Sequence, residues 1–368
     1  MLLKNKNLYI VLFVGILVMI VIGTLIYRER SNPNDSINAS DKLISGELSD
    51  QISQKQFYTW NVYWDQDSSQ SELLTLGEQV TSLSHFAAYF DSETNLFIPD
   101  NVTSFYEYIL SNEINSDYDH YLTFVNDKMN SDGSSSLKDK ALLKELLSKG
   151  TNRKQHIEDI VELTQKGQFD GIEVDYEAIK DDLELWDSFV LFIQELYAVA
   201  QDKNLKVRVL FEPSAPLEAL DLPTGPEYVM MCYNLFGIGT DPGPKANKDF
   251  IIKMVQKMKT IQSPTTFALA TGGFDWQDDT VVALTEVQAE ELRISYDEEA
   301  YRDENSQYLV FNYTDESGQE HEVWYADSVT LDFLMNVATQ EGAEFFALWR
   351  LGGNNHSFDE LDKKIKSI

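Results

Sequence analysis

The chain has 368 residues, 43% of them hydrophobic, enough for one large domain or two small ones. Its 61 acidic residues against 29 basic ones give a net charge of −32, and no basic block lies beyond the N-terminus, which argues against a nucleic-acid partner. Cys232 is the only cysteine, so no intrachain disulfide can form, and a domain of this size does not need one even outside the cell.

From the N-terminus, residues 8–26 carry no charge, with Lys4 and Lys6 before them and Tyr27-Arg28-Glu29-Arg30 after. About twenty apolar residues cross a ~30 Å hydrocarbon core as a helix. A cleaved secretory signal is the rival, but its apolar core is usually shorter and ends in small residues at the cleavage site. Basic residues flank both sides, so the positive-inside bias does not decide the orientation. The sequence reads as a short N-terminal segment (1–7), an uncleaved transmembrane signal anchor (8–27), a flexible polar linker (28–55) and a domain (56–368) outside the cytoplasm at the cell membrane.

Within the domain, short apolar runs predict strands at 57–63, 84–90, 120–125, 169–176, 205–211, 227–233, 265–271 and 344–349. Helical patterns fall at 72–83, 101–111, 136–148, 151–166, 182–203, 246–260, 328–340 and 358–366, with Gly150 as a C-cap. The strongest is 182–203, where Leu185, Trp186, Phe189, Phe192, Ile193, Leu196 and Tyr197 recur at helical spacing. This alternation predicts an α/β fold, a (β/α)8 TIM barrel. A doubly wound sheet competes, but no glycine-rich phosphate turn follows the first strand. The interval 280–327 is too long for one connection; apolar runs at 291–296, 307–313 and 322–324, with a turn at Ser317-Gly318, predict a small α+β insertion between strand seven and the last barrel helix. Thr271-Gly272-Gly273-Phe274 reads as a tight turn at the barrel mouth.

The chemistry concentrates at 169–177, Phe-Asp-Gly-Ile-Glu-Val-Asp-Tyr-Glu. Side chains alternate across a strand, so Ile172, Val174 and Tyr176 share one face and Glu173, Asp175 and Glu177 the other, with Asp175 and Glu177 about 7 Å apart. Crowded, partly desolvated carboxylates raise one another's pKa, and one can stay protonated near neutral pH as a general acid. The bland alternative is an antiparallel strand with one solvated acidic face.

The spacing Asp170, Glu173, Asp175, Glu177 resembles the Asp-x-x-Asp-x-Asp-x-Glu motif of glycoside hydrolase family 18, the chitinase-like superfamily, and is closest to its bacterial spore-cortex and cell-wall N-acetylglucosaminidases. The resemblance extends to the insertion after strand seven and to two further strand ends. Met231, Tyr233 and Asn234 are similar to the family's Met-x-Tyr-Asp, with Asn in place of Asp. Trp349 matches the Trp beneath the reacting sugar, and Trp-Arg-Leu-Gly at 349–352 resembles the cell-wall members. Glu173 stands where the family usually has Asp, and 122–126 lacks the family's Ser-x-Gly-Gly.

By this resemblance Glu177 is the general acid, and the substrate's own 2-acetamido carbonyl attacks the anomeric carbon, an exception to the two-carboxylate retaining scheme. Asp175 orients that acetamido group, Tyr233 hydrogen-bonds its oxygen, and Glu173 supports the pair. Asp170, Met231, Asn234 and Trp349 complete the expected substrate site, with Tyr58 and Phe86 as weaker candidates for its wall. The five histidines show no metal-ligand spacing, and no cofactor is expected. The resemblance implies an enzyme that hydrolyses β-linked N-acetylglucosamine-containing glycans, peptidoglycan or chitin-like. A catalytically weakened glycan-binding barrel at the cell surface is the alternative, and an envelope protein recruited through the insertion is a third.

Overall fold

The computed structural model describes residues 57–112, 118–130, 134–278 and 280–354. The first half of the domain runs β1 (Phe57–Val62), α1 (Gln66–Leu76), β2 (Val80–Phe90), β3 (Leu96–Phe97), α2 (Asp100–Ser111), β4 (Asp119–Met129) and β5 (Ser135–Ser136). It continues through α3 (Lys140–Leu147), α4 (Gly150–Lys166), β6 (Gly171–Asp175), α5 (Leu183–Asp202), β7 (Lys206–Phe211), β8 (Glu227–Met231), α6 (Lys248–Met258) and β9 (Thr265–Ala270). The remainder is β10 (Gly272–Gln277), β11 (Thr280–Leu284), α7 (Glu286–Ser295), β12 (Tyr301–Arg302), β13 (Leu309–Thr314), β14 (Glu320–Ala326), α8 (Ser328–Gln340) and β15 (Phe345–Trp349).

Eight strands pair in parallel in the order β1-β15-β9-β8-β7-β6-β4-β2, and β2 returns to β1, which closes the barrel. The helices pack outside it. On α5, Leu185, Trp186, Phe189, Phe192, Ile193, Leu196 and Ala200 are buried, the face its periodicity predicts. Asp139, Asp182, Asn247 and Asp327 each accept backbone N–H bonds at the first turns of α3, α5, α6 and α8, so the free donors of these helices are satisfied by side chains. A second apolar cluster fills the lumen, with Trp60, Leu210, Val229, Met231 and Ala347 at its centre.

Several boundaries differ from expectation. The helix expected at 72–83 ends at Leu76, and 80–83 belongs to β2. Ser82 and Ser84 face the polar centre of the lumen, where both meet Arg208, so the strand lacks an apolar alternation. Gly150 begins α4 rather than capping α3. The run expected as a strand at 291–296 is helical, held by a capping box between Thr285 and Gln288 at the start of α7.

The insertion starts earlier than 280. Gly272 and Gly273 are not a mouth turn but the first residues of β10, at the heart of an antiparallel sheet ordered β11-β10-β14-β13-β12. Glycine is required at 273 by close approach, because a Cβ there would lie 1.8 Å from the Trp324 carbonyl oxygen. The expected anchor (8–27), linker (28–55) and terminal helix (358–366) lie outside the described residues. Among the described residues no helix is long and apolar enough to cross a membrane.

Candidate active site

The site is built on β6. Gly171 leaves room for the Tyr121 ring, to which an added Cβ would come within 2.4 Å. Ile172 and Val174 pack outward with no exposure, and Tyr176 follows them, its hydroxyl 2.7 Å from Nε2 of His156. Glu173 and Asp175 point inward, and Glu177 follows at the mouth.

Glu173 is fully buried at the barrel centre, where four neighbouring strands supply its partners. Trp60 Nε1 donates to it at 2.5 Å, Thr123 Oγ1 at 2.7 Å, Ser84 Oγ at 2.8 Å and Arg208 Nη1 at 3.3 Å. Arg208 also binds Glu227 at 2.9 Å, and its guanidinium lies 3.6 Å from the Tyr58 ring centroid and 4.0 Å from that of Tyr121. A buried charge needs such pairing. Glu173 therefore supports the layer beneath Asp175 and is sealed from any substrate, a correction to its placement among the reacting groups.

Asp175 is buried, and among the described residues its Oδ1 has no hydrogen-bond partner. Burial first, then the charges of Glu177 and Glu173, push its pKa well above the usual aspartate range. Glu177 sits higher, its side chain 18% exposed. Asn126 holds its backbone at both ends: Oδ1 accepts from the Glu177 N–H at 2.9 Å and Nδ2 donates to its carbonyl at 3.1 Å. The chain then turns sharply, with Ala178 left-handed at φ 62° and its N–H donated to Glu212 at 2.8 Å. Burial raises the Glu177 pKa, a hydrogen bond with Glu212 adds to the rise, and Lys138 opposes it through an ion pair of 2.6 Å.

Tyr233 is buried beside these acids. Burial, followed by Asp175 and Glu177, keeps its hydroxyl protonated as a donor. Met231, Phe86 and Trp349 join the same lumen cluster. Trp349 meets Trp60 edge-on at 5.7 Å and Phe86 at 5.0 Å, and Phe86 meets Trp64 at 6.0 Å, so an aromatic surface rises from the pocket to the rim. The peptide bonds after Phe86 and Trp349 are cis.

Three expected site residues lie elsewhere. Asp170 precedes β6 at the opposite end of the barrel, where it accepts the His120 backbone N–H at 2.9 Å. Five residue steps along the strand separate it from Asp175, about 16 Å. Tyr58 is 3% exposed and lies under Arg208, so it is lumen core rather than pocket wall. Asn234 is exposed, with φ 62° turning the chain away after Tyr233.

Sequence reasoning missed Arg208, Asn126, Lys138 and Glu212. Arg208 was the detectable one, a cation at an inward position of an otherwise apolar strand. Among the described residues no group of three or more His, Cys, Asp or Glu side chains could hold a metal ion.

The chain thus combines a closed parallel barrel, a sheet inserted after its seventh strand, and two acids, Asp175 and Glu177, at the end of β6. Solved structures with this fold include the spore cortex-lytic enzyme SleL of Bacillus cereus, with a TM-score of 0.67 at 17% identity over 83% of this chain and 74% of that one. Another is a chitinase from Chromobacterium violaceum, with a TM-score of 0.68 at 18% identity over 85% of this chain and 99% of that one. Among curated proteins, the chain is 22% identical over 240 residues to the uncharacterized glycosylase YvbX of Bacillus subtilis, covering 61% of this chain and 69% of that one. It is 31% identical over 86 residues to the cortical fragment-lytic enzyme of Bacillus anthracis, 22% of this chain and 20% of that one. No family model matches the chain. These relatives are consistent with the family 18 chitinase-like superfamily and support a glycoside hydrolase of that kind.

Proposed function

We propose that the chain hydrolyses β-linked N-acetylglucosamine-containing glycans, of peptidoglycan or chitin type, by substrate-assisted retaining catalysis. The observation that carries this reading is the pair at the end of β6: Asp175 buried with an oxygen unpartnered among the described residues, and Glu177 beyond it with a raised pKa. A carboxyl whose pKa is raised at the mouth is suited to give a proton to a glycosidic oxygen. Beneath it, Asp175 receives the 2-acetamido N–H, the polar partner its Oδ1 lacks, while Tyr233 donates to the acetamido oxygen. The acetamido carbonyl then closes on the anomeric carbon, Trp349 offers an apolar face to the sugar ring, and Glu177, now ionised, draws a proton from the water that opens the ring. Relatives named as cortex-lytic enzymes and as chitinases support this substrate class.

The membrane tether proposed for residues 8–27 holds the barrel against the outer face of the membrane, within reach of wall glycan. The test is release of reducing ends by the full chain from purified peptidoglycan and from chitin oligomers. A glycan whose 2-acetamido groups are replaced by free amines has no internal nucleophile and is expected to resist. Brisk cleavage of that polymer would refute the mechanism while leaving the fold intact. The weakened-barrel reading rests on Glu173 and Asn234, the two departures from the family motif. Glu173 keeps a full set of donors, which favours the hydrolase; binding of chitin oligomers without turnover would favour the alternative.

A further inference from the structure

Glu177 is engaged on two sides before any substrate arrives. Lys138 Nζ lies 2.6 Å from its Oε2, and Glu212 shares a hydrogen bond with the same carboxyl. A general acid needs a proton on one oxygen and the glycosidic oxygen within about 2.6–3.2 Å of it. A lysine ammonium at that distance works against both requirements, because it stabilises the ionised acid and covers Oε2, one of the two oxygens that can carry the proton.

The two partners differ in how firmly they are held. Glu212 is tied to the backbone, accepting the Ala178 N–H at 2.8 Å. Lys138 leaves β5 at a left-handed residue, φ 51°, and its main chain is fixed by donation to Asp127 at 2.7 Å. Its side chain is 45% exposed and can swing away. A half-exposed pair of this kind adds little to folding stability. Its effect falls on the protonation of Glu177.

We propose that Lys138 is a displaceable counter-ion of the acid: it covers Oε2 in the free enzyme and is moved off when a glycan occupies the mouth. This rests on the reading of Glu177 as the general acid, and makes Lys138 a positioning residue. The other charged or titratable groups around Glu177 are Asp175 and Glu173 on β6, Asp127 on β4, Glu212 after β7 and Tyr233 after β8. All carry negative charge or none, so Lys138 is the cation among them. Once it leaves, burial and the neighbouring carboxylates favour the neutral acid, and Glu177 takes one proton from solvent as the glycan binds. That proton is the one later given to the leaving group.

The test uses the full chain and chitin oligomers, whose poor leaving group makes protonation count. The alkaline limb of kcat/KM reports the free enzyme, and that of kcat reports the complex. In Lys138→Met the kcat/KM limb should move to higher pH, with about threefold or more activity gained on that limb, while the kcat limb stays in place. Lys138→Arg should restore the wild-type limb. A kcat/KM limb that does not move, or two limbs that move together, would overturn the proposal.

A second readout needs no turnover. Infrared titration of the Glu177 carboxyl, assigned by its loss in Glu177→Gln, should show a higher midpoint in Lys138→Met than in wild type. Adding chitotetraose should raise the wild-type midpoint to that of the variant. If the wild-type chain releases no reducing ends, the hydrolase reading falls by itself. The titration still decides Lys138, and a midpoint indifferent to both the variant and the oligomer overturns it.

Discussion

Glu173 and Arg208 face each other directly in the parallel register of β6 and β7, with Arg208 Nη1 3.3 Å from Glu173 Oε2. The pair lies inside the barrel, one layer below Asp175, and joins six strands through Trp60, Ser84, Thr123 and Glu227. Arg208→Met would leave Glu173 and Glu227 without their cation in a buried setting. Breaking a buried pair on one side costs about 3–5 kcal/mol. Denaturant unfolding of the variant is expected to show a loss of that size, and a loss below about 1 kcal/mol would mean that the lumen network is not a stabilising centre.

Glu177→Gln keeps the shape of the acid but cannot supply its proton. Turnover on chitin oligomers should fall by about 10²–10⁴ while oligomer binding, measured calorimetrically, survives. Near-normal turnover would remove Glu177 from the role of acid.

Asp175 makes a paired prediction. Its folded pKa is raised above the usual aspartate value of 3.8, burial being the largest cause, so ionising it costs the folded state free energy. That penalty is absent below the unfolded pKa and grows as pH rises through it toward the folded value. Asp175→Asn should therefore raise Tm at neutral pH, with the gain vanishing in acid below the unfolded pKa. The same variant should slow turnover and flatten the acidic limb of the pH profile, because the group that titrates there is gone. A variant that is less stable at neutral pH and keeps the wild-type acidic limb would contradict both statements.

Glu173→Asp restores the commoner motif residue but shortens a carboxylate reached by four donors. Activity should stay within about tenfold of wild type, while stability falls by about 1–3 kcal/mol as some of those charged hydrogen bonds lengthen. Equal stability, measured by thermal unfolding, would mean that the surrounding side chains follow the shorter group.

The proposed anchor is tested apart from the barrel. Full-length protein should stay with membranes through high-salt and carbonate washing. Recovery of a soluble mature form beginning between residues 28 and 45 would replace the anchor with a cleaved signal.

Much of this architecture is readable from local pattern. The alternation through 169–177 separated Ile172, Val174 and Tyr176 from the three acids, because a strand admits only two faces. Periodicity along α5 likewise named the buried face, since that helix packs against a single layer. Where local pattern misled, a distant partner was deciding. The serines of β2 hid the start of a strand, at 80–83, because Arg208 needs polar company in the lumen. Gly272 and Gly273 suggested a turn, yet β14 passes too close to 273 for a side chain, and at 272 the Leu284 carbonyl at the end of β11 does the same.

The sequence by itself determined the barrel, the strand that bears the acids and the order of Asp175 and Glu177 along it. These depend on residue period and spacing, which are local quantities. Only the tertiary structure decided what each carboxylate meets. Glu173 is neutralised and sealed by side chains from β1, β2, β4 and β7, whereas Asp175 two residues on is left with a bare oxygen, and Asp170 lies at the far end of the barrel. Lys138 reaches Glu177 across 39 residues of chain. Charge acts through space over a few ångströms, so the protonation of the acid is set by loops that the spacing of its own strand cannot encode.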